Sequence, residues 1–125
     1  ADGWNMIFGY QLPVVKKKLE VLKRHCDTVK RDFAAIDKSL FIVTCIAETE
    51  DEMKKREAQT AAALGTGRIF RIARDSGTIG TAEQVAETLR GYQELGFEYF
   101  IAMFPYGQDK EMLQRFAETV VPKLK

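Results

Sequence analysis

A chain of 125 residues, 46% hydrophobic and 30% charged, carries enough apolar mass to bury one core and reads as a single unit over residues 1–125. Nineteen Lys and Arg against 18 Asp and Glu leave a net charge of +1, which gives no polyanion-binding surface and points to no nucleic-acid partner. The longest apolar run, Leu40 to Ala47, falls far short of the roughly 20 residues that cross a bilayer, and the N-terminus lacks a basic region followed by an apolar core. No membrane partner and a cytoplasmic setting are therefore expected.

In chain order, residues 1–8 (ADGWNMIF) form a short apolar-aromatic strand start. Pro13 sits where the first turn of a helix tolerates it, and Val15, Leu19, Leu22, Cys26 and Val29 mark a buried face down to about Lys30. Lys16, Lys17, Lys18, Lys23 and Arg24 make the opposite face, read as the solvated side of an α/β layer. His25, the single histidine, has no Ser, Cys or acidic partner nearby in sequence and reads as a surface residue. After the polar connection RDFAAIDKS, Leu40 to Ala47 predict a strand buried on both faces. Thr49 with Glu52 predicts a capping box, and Glu50 and Asp51 favour the positive end of the helix dipole. That helix runs to about Leu64 and ends at Gly65.

Residues 65–80 (GTGRIFRIARDSGTIG) are expected to be an irregular loop. Arg68, Arg71 and Arg74 recur every third residue, and the stretch ends at Gly80-Thr81, a helix start whose free N–H groups attract anions. Two readings stand: a phosphate site, or an exposed connector whose arginines pair with neighbouring acids. Thr81 with Gln84 predicts a second capping box, Val85, Leu89 and Tyr92 an apolar stripe, and Gly96 a left-handed helix end. Phe97 to Phe104 predict another strand covered on both faces, stopped by Pro105 and Gly107. A last helix begins at Gln108 or Asp109, with Met112, Phe116 and Val120 on one face, Leu113, Ala117 and Val121 alongside, and Pro122 near its end. Cys26 and Cys45 read as inert packing residues, and no Cys/His cluster has metal-ligand spacing, so no metal is expected.

The order β, α, β, α, loop, α, β, α with apolar strands is that of a wound parallel α/β sheet or barrel. Ala1-Asp2-Gly3-Trp4-Asn5, Leu22-Lys23-Arg24-His25-Cys26, Gly80-Thr81-Ala82-Glu83-Gln84-Val85 and Gly96-Phe97-Glu98-Tyr99-Phe100, in that order, resemble the C-terminal part of the luciferase-like flavin- or deazaflavin-dependent oxidoreductases. The resemblance implies the C-terminal portion of a (β/α)8 TIM barrel that binds FMN or coenzyme F-420 at its mouth and transfers hydride or activates oxygen. Asp2 to Asn5 then stand at about the sixth strand, Leu40 to Ala47 at the seventh and Phe97 to Phe104 at the eighth. The earlier strands are absent, so the expectation is a fragment of an oxidoreductase or monooxygenase that is inactive and binds no cofactor alone. The alternative is a non-catalytic α/β module that associates with copies of itself. Arg68, Arg71, Arg74, Gly80 and Thr81 are the expected cofactor-binding residues; no catalytic residue is assigned. A homo-oligomer is expected, because strand edges and the Met112/Phe116/Val120 face lack neighbours.

Overall fold

A computed structural model describes residues 2–104 and 109–125. Strand β1 (Gly3–Ile7) leads to helix α1 (Leu12–Thr28), a short 3-10 turn (Phe33–Ala35), strand β2 (Asp37–Val43) and strand β3 (Cys45–Ile46). Helices α2 (Glu50–Leu64) and α3 (Arg68–Asp75), strand β4 (Ile79–Gly80), helix α4 (Ala82–Glu94), strand β5 (Tyr99–Met103) and helix α5 (Asp109–Thr119) follow. The expected stop at Pro105 and Gly107, and the start at Gln108, lie outside the described residues.

The main sheet has the order β1-β2-β5, every pair parallel. In register, Met6 stands beside Leu40 and Leu40 beside Phe100, while Ile7 stands beside Phe41 and Phe41 beside Ile101. Side chains alternate across a strand, so these two rows face opposite ways. The row through Met6, Leu40 and Ile42 is buried in a core that includes Val15, Leu19, Val85, Leu89, Tyr92 and Met112 from the helices. On the other row the outer strands are bare, with Ile7 53% exposed, Tyr99 59% and Ile101 51%, while Phe41 is half-buried beside Phe8 and Val43 is buried. The segment Leu40 to Ala47 is buried on both faces from Ile42 onward, as predicted, whereas the strand predicted over Phe97 to Phe104 leaves Tyr99 and Ile101 bare on one face.

Helix α4 is built as its sequence dictates. Thr81 Oγ1 accepts from the Gln84 N–H at 3.2 Å, and Gln84 Oε1 accepts from the Thr81 N–H at 2.9 Å, a complete capping box. Val85, Leu89 and Tyr92 are buried on one stripe, Tyr92 packs edge-on to Phe97 at 5.4 Å, and Gly96 takes φ 94°, where a Cβ would clash. Thr81→Ala is expected to cost about 1 kcal/mol, read as a lower urea midpoint with an unchanged slope; an unchanged midpoint would show that the cap contributes nothing.

Elsewhere the structure corrects the sequence reading. The single strand expected over Leu40 to Ala47 starts at Asp37 and divides at Thr44, with β3 leaving the main sheet to pair with β4. The loop expected over residues 65–80 contains the helix α3, which buries Phe70 and Ala73, and the strand β4. At Thr49 half a capping box forms: Oγ1 accepts from Glu52 N–H at 3.1 Å, but the Glu52 carboxylate pairs with Arg115. Val29 is 71% exposed because α1 has ended, and Lys30 turns the chain with φ 57°. Met112, Phe116 and Val120 are buried within the chain, so they are not among its unpartnered surfaces. Both cysteines are free and buried, and His25 is exposed. Among the described residues no helix is long and apolar enough to cross a membrane.

Candidate active site at the carboxyl ends of the strands

Because the three strands are parallel, Ile7, Val43 and Met103 end on the same side of the sheet, the side on which wound α/β sheets gather ligands. There the chain makes an excursion. Instead of entering α4 directly, β2 passes into β3, and α2 and α3 intervene before β4 returns beside β3, with Cys45 opposite Ile79 and Ile46 opposite Gly80. Thr78 Oγ1 ties the return to the main sheet, donating to the Val43 carbonyl at 2.8 Å and the Ala73 carbonyl at 3.1 Å. The loop after β1 closes onto α3. Gly9, at φ 103°, lies so near that an added Cβ would stand 2.9 Å from Ile72 Cγ2, and Gln11 Nε2 donates to the Asp75 carbonyl at 2.8 Å.

The five predicted binding residues fall into two groups in this region. Arg68, Arg71 and Arg74 lie along α3, not in a loop. Arg71 and Arg74 share the Glu57 carboxylate at 3.7 and 3.6 Å, and Arg74 also lies 3.6 Å from Asp75; Arg68 is exposed on the first turn. Gly80 is buried in β4, and Thr81 caps α4. The N–H donors at that helix start already meet protein acceptors, Thr81 on Gln84 and Ala82 on Glu48 Oε1 at 3.0 Å. Of the five, Arg74 alone lines the nearby groove of about 550 Å³, together with Gln84, Glu50 and Glu87. An anion entering there meets one guanidinium and two carboxylates, so any gain rests on displacing Glu48 or Glu57.

Between α2 and α5 lies a charge network that sequence reasoning missed. The Arg56 side chain is almost wholly buried and donates to Glu111 Oε1 at 3.0 Å, and Arg115 pairs with Glu52. The Glu52 hydrogen bond holds the Arg115 guanidinium above its usual range. Among the described residues the pairs Arg56–Glu111 and Arg115–Glu52 tie α2 to α5, which makes the network a clamp between helices. The signal for it was faint: α2 has almost no apolar stripe, so its inward face is filled by Arg56 and Thr60.

Behind the clamp, Thr44 and Cys45 are fully buried at the end of β2, and Thr44 Oγ1 finds no hydrogen-bond partner among the described residues. Burial pushes the Cys45 thiol up to about 11, with Arg56 pulling the other way. A nucleophilic thiolate is therefore disfavoured, and Cys45 packs as an apolar group. A thiol whose pKa is raised on folding supports the fold fully below its unfolded value near 9 and loses that support as pH rises toward 11. Stability is expected to fall by at most about 2–3 kcal/mol over that window from this group, and Cys45→Ala should flatten that part of a denaturation series; an unchanged alkaline slope would contradict the burial argument.

No protein-family model and no curated protein matches the chain. Among solved structures it is similar to the EDTA monooxygenase EmoA from Chelativorans sp. BNC1, with a TM-score of 0.71 and 18% identity over 99% of this chain. The match takes in 39% of that enzyme, so this chain spans about two fifths of its length. At that identity the likeness is one of fold alone.

Proposed function

We propose that the chain is a section of a (β/α)8 barrel, about strands six to eight, from a luciferase-like flavin-dependent oxidoreductase or monooxygenase. The observation that carries this reading is the apolar row on which Ile7, Tyr99 and Ile101 are each more than half exposed beside a half-buried Phe41. Parallel sheets are normally covered on both faces, and neighbouring strands that follow chain order, with the helices on one face, are the winding of a barrel whose bare side is its interior. The fold likeness to a monooxygenase supports it, as does the order of the short motifs.

FMN is the cofactor that this reading favours, with coenzyme F-420 the alternative from the same resemblance. Near the strand ends, Ile7, Phe41 and Met103 fit one apolar wall of a pocket for a tricyclic ring; other walls must come from other chain. A flavin bound there supplies hydride transfer or oxygen activation, and this chain's part is to exclude water on one side and to present Arg68, Arg71, Arg74, Gly80 and Thr81 toward an anionic group. Alone, the chain encloses too little of the ring to hold it. FMN and F-420 titrated into the isolated protein are each expected to leave fluorescence unchanged; micromolar binding would overturn the fragment reading. In the completed enzyme, single Arg68→Ala, Arg71→Ala and Arg74→Ala variants are expected to include at least one that weakens cofactor or substrate binding about tenfold or more. Three variants that bind normally would place the anion elsewhere.

The same bare face favours a second reading, a non-catalytic module that associates with copies of itself. This module predicts a stable oligomer of defined size by light scattering, and a stable monomer would contradict it.

A further inference from the structure

On the outer side of β1 an open groove of about 470 Å³ is lined by Trp4, Val14, Lys17, Lys18, Val21, Leu22 and His25. The α1 residues recur at helical spacing, so they form one ridge along the helix rather than a scattered patch. The ridge is apolar along its middle, and Val14 and Val21 are each 42% exposed. Its margins are basic. Lys17 is exposed, and the Lys18 ammonium lies over the Tyr10 ring, 4.6 Å from its centroid, which holds that charge at one margin. The acids of α1 do not share this side: by helical spacing Glu20 and Asp27 fall away from it, and Asp27 is paired with Lys23 at 3.1 Å.

An apolar ridge beside a ring, bordered only by cations, selects its occupant by shape and charge. We infer that this groove seats an amphipathic helix whose apolar stripe is flanked by carboxylates, in the place that the preceding helix of a completed barrel takes beside α1. A strand would pair with the free edge of β1 instead of lying over α1, and a helix with basic flanks would be repelled by Lys17 and Lys18. The inference uses the barrel reading for the source of the helix; it does not use the flavin, so a failure of cofactor binding leaves it standing.

Trp4 is the single tryptophan of the chain and lines the groove, so its emission reports occupancy directly. The probes are two synthetic peptides of about 14 residues, long enough for a helical stripe, with leucines at helical spacing flanked by glutamates in one and lysines in the other. The glutamate peptide is expected to shift Trp4 emission and to bind at least about tenfold more tightly than its twin, a preference that salt reduces. Lys17→Glu, at an exposed position, should narrow that preference severalfold without altering the circular dichroism, and Val21→Ser should weaken both peptides. Equal affinity for the two peptides, or no binding at millimolar concentration, would overturn the inference. So would a Trp4 shift that depends on protein concentration without peptide, because it would give the groove to a second copy of the chain.

Discussion

Leu40→Ala is expected to lower the free energy of unfolding by about 2–5 kcal/mol, the usual range for emptying a fully buried leucine site. Leu40 is completely buried on the central strand, flanked in register by Met6 on β1 and Phe100 on β5. The surrounding strands are fixed by their ladders and cannot collapse into the space, which favours the upper half of that range. A single domain has about 5–15 kcal/mol in total, so this one substitution removes a large share. Phe41, the next residue, points to the bare face and is only partly buried, so Phe41→Ala should cost far less, about 1 kcal/mol or below. Urea unfolding of the two variants side by side checks the alternation: equal losses would mean that both faces of β2 are covered.

On the reading that the bare face binds a second copy of the chain, the double variant Tyr99→Ser/Ile101→Ser is expected to weaken that association about tenfold or more while leaving the fold intact. Both side chains are more than half exposed, at 59% and 51%, and stand on the bare row with Ile7 and Phe41. Covering a large apolar side chain in an interface is worth about 1.5–3 kcal/mol when burial is complete, so two half-covered ones together account for a tenfold change. The folded monomer loses little, since neither side chain is buried in it. Sedimentation velocity over a dilution series measures this. Unchanged association would locate the contact on another surface, with the α1 ridge at Val14 and Val21 the next to test.

What could be read in the sequence was local. Thr81 with Gln84, Gly65 and Gly96 mark helix ends by chemistry that operates over three or four residues, and all three stand where that chemistry puts them. Helix α3 escaped because its eight residues lie between Gly67 and Gly77, and the arginines spaced through it looked like a loop awaiting an anion. The division of the second strand at Thr44 escaped because LFIVTCIA is uniformly apolar, and only its partners decide where it leaves the sheet. The uniform hydrophobicity of Phe97 to Phe104 predicts a strand covered on both faces, and at Tyr99 and Ile101 one cover is missing, which is the feature that the barrel reading explains. The partners of the clamp could not be read, since Arg56 and Glu111 are 55 residues apart and Glu52 and Arg115 are 63 apart; the weak apolar stripe of α2 was its one trace. At the site, the arginine spacing was visible, but Glu57 and Glu48, which meet Arg71, Arg74 and the start of α4, were not.

The most direct test of the account is a crystal structure of the protein in whatever assembly it forms. The expected structure is a parallel sheet in the order β1-β2-β5, with Ile7, Phe41, Tyr99 and Ile101 turned into the interior of a larger sheet or barrel that other chain completes. A structure in which helices or loops of this chain itself cover that row, as in a sheet wound on both sides, would contradict it.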